Sequence, residues 1–103
     1  MFSIPTMHIG YCHISIRIPE SHSLKEKRGV VRFISSRLCR EFNVSVAEVE
    51  HNDLWQLVTL GVCCVSNNSR HANEILSKVI DYLNTLHGDW ELLEYDIEVM
   101  SGL

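Results

Sequence analysis

The densest run of cations in the sequence is His22-Ser23-Leu24-Lys25-Glu26-Lys27-Arg28, extended by Arg32. On a helix, Lys25, Arg28 and Arg32 share a side at i, i+3 and i+7. Lys25, Lys27, Arg28 and Arg32 in the first two turns oppose the helix macrodipole, which is locally unfavourable. Together with the open N–H groups of the first turn, and with His22 beside them, they could hold a phosphate or an RNA backbone. The competing reading is a solvated helix face, partly compensated by Glu26 and Glu41. A second dense stretch is Glu48-Val49-Glu50-His51-Asn52-Asp53-Leu54-Trp55-Gln56. Strict alternation puts Glu48 and Glu50 on one strand face, and an imidazole beside carboxylates could serve as a general base or bind a divalent metal. There is no H-E-x-x-H, however, and no nucleophile is tied to the stretch by spacing. Hairpin turns also favour Asn and Asp for backbone reasons, so the alternative is a polar turn pinned by Trp55. A third stretch, Ser66-Asn67-Asn68-Ser69-Arg70-His71, could bind an anion through free N–H groups, but helix capping accounts for it more simply. His8, His13 and His87 share no informative spacing.

The elements that must position these groups follow from periodicity. Cys12, Ile14, Ile16 and Ile18 alternate with His13, Ser15 and Arg17, so residues 7–18 read as a strand ended by Pro19. Ser23 and Glu26 have capping-box spacing. Val30, Val31, Ile34, Leu38 and Phe42 then form one apolar stripe, which predicts a helix over 24–42. Val44, Val46 and Val49 are strand-like, with a β-bulge expected near Ala47 or Glu48 where alternation breaks. Residues 56–65 form the next strand, with Val58, Leu60, Val62 and Cys64 on one face. Ala72, Ile75, Leu76, Val79, Leu83 and Leu86 make the stripe of a second helix, and residues 90–99 the last strand. The order β-α-β-β-α-β places two helices on one face of a four-stranded antiparallel sheet. Residues 1–6 read as a flexible lead-in, 7–100 as one domain and 101–103 as a tail.

At 103 residues the chain holds one domain, and 46% hydrophobic residues suffice for a packed core. The formal net charge of −4 opposes non-specific binding to nucleic acid or acidic membranes, although a local cluster can override it. Cys12, Cys39, Cys63 and Cys64 form no C-x-x-C pair and read as reduced thiols packed like small hydrophobes. No apolar run is long enough for a membrane span, and the N-terminus lacks the layout of a secretory signal, so the expected location is the cytoplasm. Nothing in the sequence calls for a cofactor or metal.

Ser23-Leu24-Lys25-Glu26-Lys27-Arg28, Phe42-Asn43-Val44-Ser45-Val46-Ala47-Glu48-Val49, Asp53-Leu54-Trp55-Gln56, Leu60-Gly61-Val62 and Val65-Ser66-Asn67 together resemble the bacterial YlxP-like family of small uncharacterised proteins. The resemblance covers roughly residues 8–99. It implies a ferredoxin-like α+β sandwich and no established reaction. Genes of the family often lie near those of translation and ribosome-maturation factors, an associational pointer to RNA or the ribosome. The sequence departs from the commoner pattern in its cysteines and at Gly29, which weakens the first helix by about 1 kcal/mol relative to Ala. The resulting expectation is a non-enzymatic module that binds structured RNA or ribosomal particles through Lys25, Lys27, Arg28 and Arg32, with His22 and Trp55 as weaker contacts. The alternative is an enzyme or metal-dependent site on Glu48, Glu50, His51 and Asp53. The open sheet face mixes Met7, Ile9, Tyr11, Leu57 and Val65 with His13, Ser15, Arg17 and Thr59. That mixture leads us to expect a homodimer through this face or through an edge strand.

Overall fold

A computed structural model of the chain describes residues 6–103; all but Thr6 of the lead-in read from the sequence lies outside the described residues. β1 (His8–Arg17) turns Cys12, Ile14 and Ile16 into the core, continued by Ile18, while His13, Ser15 and Arg17 point the other way. α1 (Leu24–Glu41) starts where the hydroxyl of Ser23 accepts the Glu26 N–H at 3.1 Å. The Glu26 carboxylate reaches back to the His22 N–H at 2.6 Å, one residue further than in the usual capping box. The helix ends at Glu41 because Phe42 is already extended.

β2 (Ser45–Glu50) and β3 (Leu57–Ser66) form the central hairpin. The bulge falls at Val49, just beyond the expected position: Glu48 pairs with Leu60, but Glu50 pairs with Thr59. α2 (Ser69–Thr85) buries Ala72, Leu76, Val79, Ile80 and Leu83. Ile75 and Leu86 sit at its half-buried margin. β4 (Glu91–Met100) carries a second irregularity at Leu93, where Ser15 pairs with Glu94 and Ile16 with Leu92. The extra residue puts Leu92 on the same inner face as Ile97 and Val99, which simple alternation would have separated.

The sheet order is β2-β3-β1-β4, with every neighbouring pair antiparallel. With both helices on one face, this is the ferredoxin-like sandwich. α1 packs over the β2 side, and α2 over β1, β3 and β4. Beyond β4 the chain continues alongside β1: the Met7 N–H donates to Leu103 O at 2.8 Å, and His8 Nδ1 lies 2.8 Å from the Ser101 hydroxyl. Cys12 and Cys64 pack within the core, and burial pushes the Cys12 thiol up to about 11.

Candidate functional site

The outward face of α1 is a basic ridge. Lys25, Arg28 and Arg32 are all exposed, and Arg40 continues the line in the last turn. From Lys25 to Arg40 the ridge runs roughly 22 Å at the helical rise per residue. Among the described residues none of these four cations has a carboxylate within 4 Å; the ion pairs are His13–Asp96, Arg17–Glu91 and Lys27–Glu48. Glu26 is occupied by the cap, and the Arg37 guanidinium lies 5.0 Å from the centre of the Phe33 ring. His22 is exposed on the approach to the helix.

Lys27 corrects the sequence-based expectation of four phosphate-facing cations. Its side chain is 1% exposed. The ammonium sits 2.7 Å from Glu48 Oε2, a charge–charge contact without hydrogen-bond alignment. It donates to Leu54 O at 2.6 Å and to His51 O. The physical reason is helical phase. Lys27 precedes Val31, Ile34 and Leu38 by four, seven and eleven residues and so belongs to the apolar stripe. Its position relative to those residues was the signal in the sequence. A buried ammonium needs a counter-charge and acceptors for its protons, and β2 with its following turn supplies both.

The same turn is held from a second side. Gln56 Nε2 donates to Pro19 O at 3.0 Å and to Ser21 O at 3.2 Å, and the Ile18 N–H donates to Gln56 O at 2.8 Å. His51 adopts a positive φ of 64°, and its Nδ1 lies 3.0 Å from the Thr59 hydroxyl. Two stretches far apart in sequence, Ser23 to Arg28 and Asp53 to Gln56, thus meet at one end of the molecule. With the carbonyls of His51 and Leu54 turned inward to Lys27, side chains of the loop are left outside: Leu54 is 45% and Trp55 53% exposed. Trp55 is therefore not the core anchor of a polar turn; the anchors are Lys27 and Gln56. Arg17, Asp53, Leu54, Trp55, Gln56 and Leu57 line an open depression of about 640 Å³.

The bulge at Val49 separates groups that strict alternation would have placed together. Glu48 pairs with Leu60 on the helix-covered face, while Glu50 pairs with Thr59 on the open face. Asp53 is exposed in the loop, and His51 turns to Thr59. Glu48, Glu50, His51 and Asp53 are thus divided between two faces and the loop. Among the described residues no three His, Cys, Asp or Glu side chains stand close enough to share a metal ion. In the third stretch, Asn68 Oδ1 accepts the His71 N–H at 3.1 Å and the Ser66 hydroxyl accepts the Asn68 N–H at 3.1 Å, which is capping.

The open sheet face has the opposite charge along one edge. Register places Glu91, Glu94, Asp96 and Glu98 beside Arg17, Ser15, His13 and Tyr11 on that face. Arg17 pairs with Glu91 at 2.5 Å. The His13 backbone N–H donates to Asp96 at 2.9 Å and holds that carboxyl below its ordinary range. No helix of the described residues is long and apolar enough to cross a membrane.

The "Uncharacterized protein YlxP" of Bacillus subtilis (strain 168) is 32% identical over 77 residues, covering 75% of this chain and 84% of that protein. The family model described as "Protein of unknown function (DUF503)" matches residues 9–97, from the start of β1 into β4. On both grounds the chain belongs to the DUF503 family, with YlxP as a relative.

Proposed function

We propose that the protein is a small non-enzymatic binding module for RNA or a ribonucleoprotein, such as the ribosome or its assembly intermediates, and that it grips the phosphate backbone with the outer face of α1. One observation supports this above all: Lys25, Arg28, Arg32 and Arg40 line a single exposed face without an ion-pair partner among the described residues. Six of the nine Lys and Arg residues lie on this one helix of a chain whose net charge is −4. Charge is therefore segregated, and the field at α1 is positive where the whole molecule is not. The sheet face suits RNA poorly, because β4 lines it with carboxylates and β1 offers one aromatic ring, Tyr11. Binding through α1 is then backbone-directed, sequence-tolerant and sensitive to salt.

Titration of a structured RNA at low and moderate salt tests the reading. With three to four phosphates engaged, log K should fall against log salt with a slope of about −2 to −4. Replacing Lys25, Arg28 and Arg32 together by Ala should abolish most of the affinity and flatten the slope. No binding at low salt, or binding indifferent to those replacements, sinks the proposal.

We propose further that the module works in the cytoplasm as a homodimer. Four free cysteines suit a reducing compartment. On the open sheet face, Ile9, Val65 and Met100 stand side by side across three strands. Next to them Tyr11, Ala47, Val49, Gly61 and Cys63 surround a depression of about 300 Å³.

A further inference from the structure

We propose that the pinned loop carrying Trp55 is a stacking site for an unpaired nucleobase, so that the preferred ligand is single-stranded or bulged RNA rather than a regular duplex. This inference rests on the α1 reading and adds a ligand class to it. Three observations lead there. First, Trp55 is held out. Lys27 draws in the carbonyls of His51 and Leu54, and Gln56 ties the loop to Pro19 and Ser21, so the indole stays 53% exposed on a loop fixed from two sides. A pre-formed aromatic surface loses little freedom when a ring lies on it.

Second, the depression beside Trp55 has the composition a base requires. Leu54, Leu57 and Trp55 offer apolar surface for a π-face, while Arg17 and Asp53 offer a donor and an acceptor at the rim. A phosphate is disfavoured there: Asp53 repels it, and Glu91 offsets the charge of Arg17, whose guanidinium still has further N–H groups to donate to a neutral base edge. An uncharged planar group with donors and acceptors on its edge meets both conditions.

Third, the loop that carries Trp55 is fastened to the N-terminal turns of α1, the helix whose outer face bears the basic ridge. Lys27 belongs to the same turns of α1 as Lys25 and Arg28, and it is the residue that fastens the loop. A strand whose phosphates follow the exposed side of α1 reaches the loop at the N-terminal end of the helix. Cations that track a backbone beside an aromatic platform are the combination that binds single strands. In a duplex the bases are already stacked and closed to Trp55.

The test compares fluorescently labelled RNA 12-mers, oligoadenylate as the single strand and a blunt duplex of mixed sequence, on the intact chain and on Trp55→Ala and Arg28→Ala variants. The exposed position of Trp55 lets the alanine variant fold, which circular dichroism checks. We expect single-strand affinity to fall roughly 5- to 150-fold in Trp55→Ala, the range typical of a lost base–aromatic stack. Duplex affinity and the salt slope should stay unchanged in that variant. Arg28→Ala should weaken both ligands and reduce the slope. Quenching of the indole emission by the single strand, absent in Trp55→Ala, supports the same conclusion. If both RNAs bind with the expected slope but Trp55→Ala alters neither, the stacking site is overturned and the α1 reading stands. If neither RNA binds at low salt, both fall. If Trp55 instead governs capture of a protein that survives ribonuclease treatment, and single-strand affinity is unmoved, the loop serves a protein and the proposal is overturned.

Discussion

Lys27 is the residue whose role changes most between sequence and structure. It opens the buried stripe that Ile34 and Leu38 continue along α1, and its ammonium ends among Glu48 and the carbonyls of His51 and Leu54. Replacing it by Met keeps the stem's packing but leaves Glu48 uncompensated and two carbonyls without a donor. Breaking a buried pair from one side costs about 3–5 kcal/mol. Glu48 is 16% exposed, so the expected loss lies near the lower end, about 3 kcal/mol. Urea unfolding of Lys27→Met measures it, and a loss under about 1 kcal/mol would show that the loop is held by other means. Replacing Glu48 by Leu in the same chain should recover part of the loss, because the stranded charge is then gone.

At the scale of elements, α1 carries both the ridge and the staple, and it does so with one weak point. Gly29 lies on the outer face, where an added Cβ meets nothing within 4 Å. Gly29→Ala should stabilise the protein by about 1 kcal/mol, which for a domain of this size raises Tm by roughly 4–8 °C. Calorimetry reads this directly, and a lower Tm would mean that α1 is not an exposed regular helix at that turn. β2 is the opposite case. Its bulge requires Gly61 on the neighbouring strand β3, since a Cβ at that position would come within 2.9 Å of Val49, the bulged residue that lies over it. The bulge turns Glu50 to the open face and leaves Glu48 pointing to Lys27, so one extra residue in β2 decides which carboxylate completes the staple.

The whole molecule is electrically divided: α1 is basic on its outer face, and the outward side chains of β4 are acidic. Pairing of two β4 edges would bring like carboxylates together, a common protection of edge strands. The part of the open face formed by Ser45, Ala47, Val49, Gly61, Cys63 and Val65, by contrast, carries no charge. We therefore assign the proposed dimer to that part of the face. Two copies would then expose two basic ridges and gain avidity on an extended polyanion. Sedimentation at micromolar concentration should give twice the 11.8 kDa chain mass, and Val65→Asp should return it to the monomer. A monomer mass for the unaltered chain across that range removes the dimer.

Element order, helix stripes, N-terminal caps and the inward sides of β1 and β3 were legible along the chain, because period 2, period 3.6 and cap spacing are properties of neighbouring residues. Cys12, Ile14, Ile16, Val58, Leu60 and Val62 are buried as their alternation requires. The exposed cations Lys25, Arg28 and Arg32 were legible for the same reason, since i, i+3 and i+7 define one side of a helix. What the tertiary structure alone decided depends on partners distant in sequence. Lys27 is a local cation, and only β2 and its turn, brought across by the sheet, make it a buried staple. Trp55 reads as an anchor until Lys27 and Gln56 take that role and leave the indole outside. Glu48 and Glu50 share a face by strict alternation, but the bulge over Gly61 separates them, because the space available to Val49 is set by β3 and not by β2 itself.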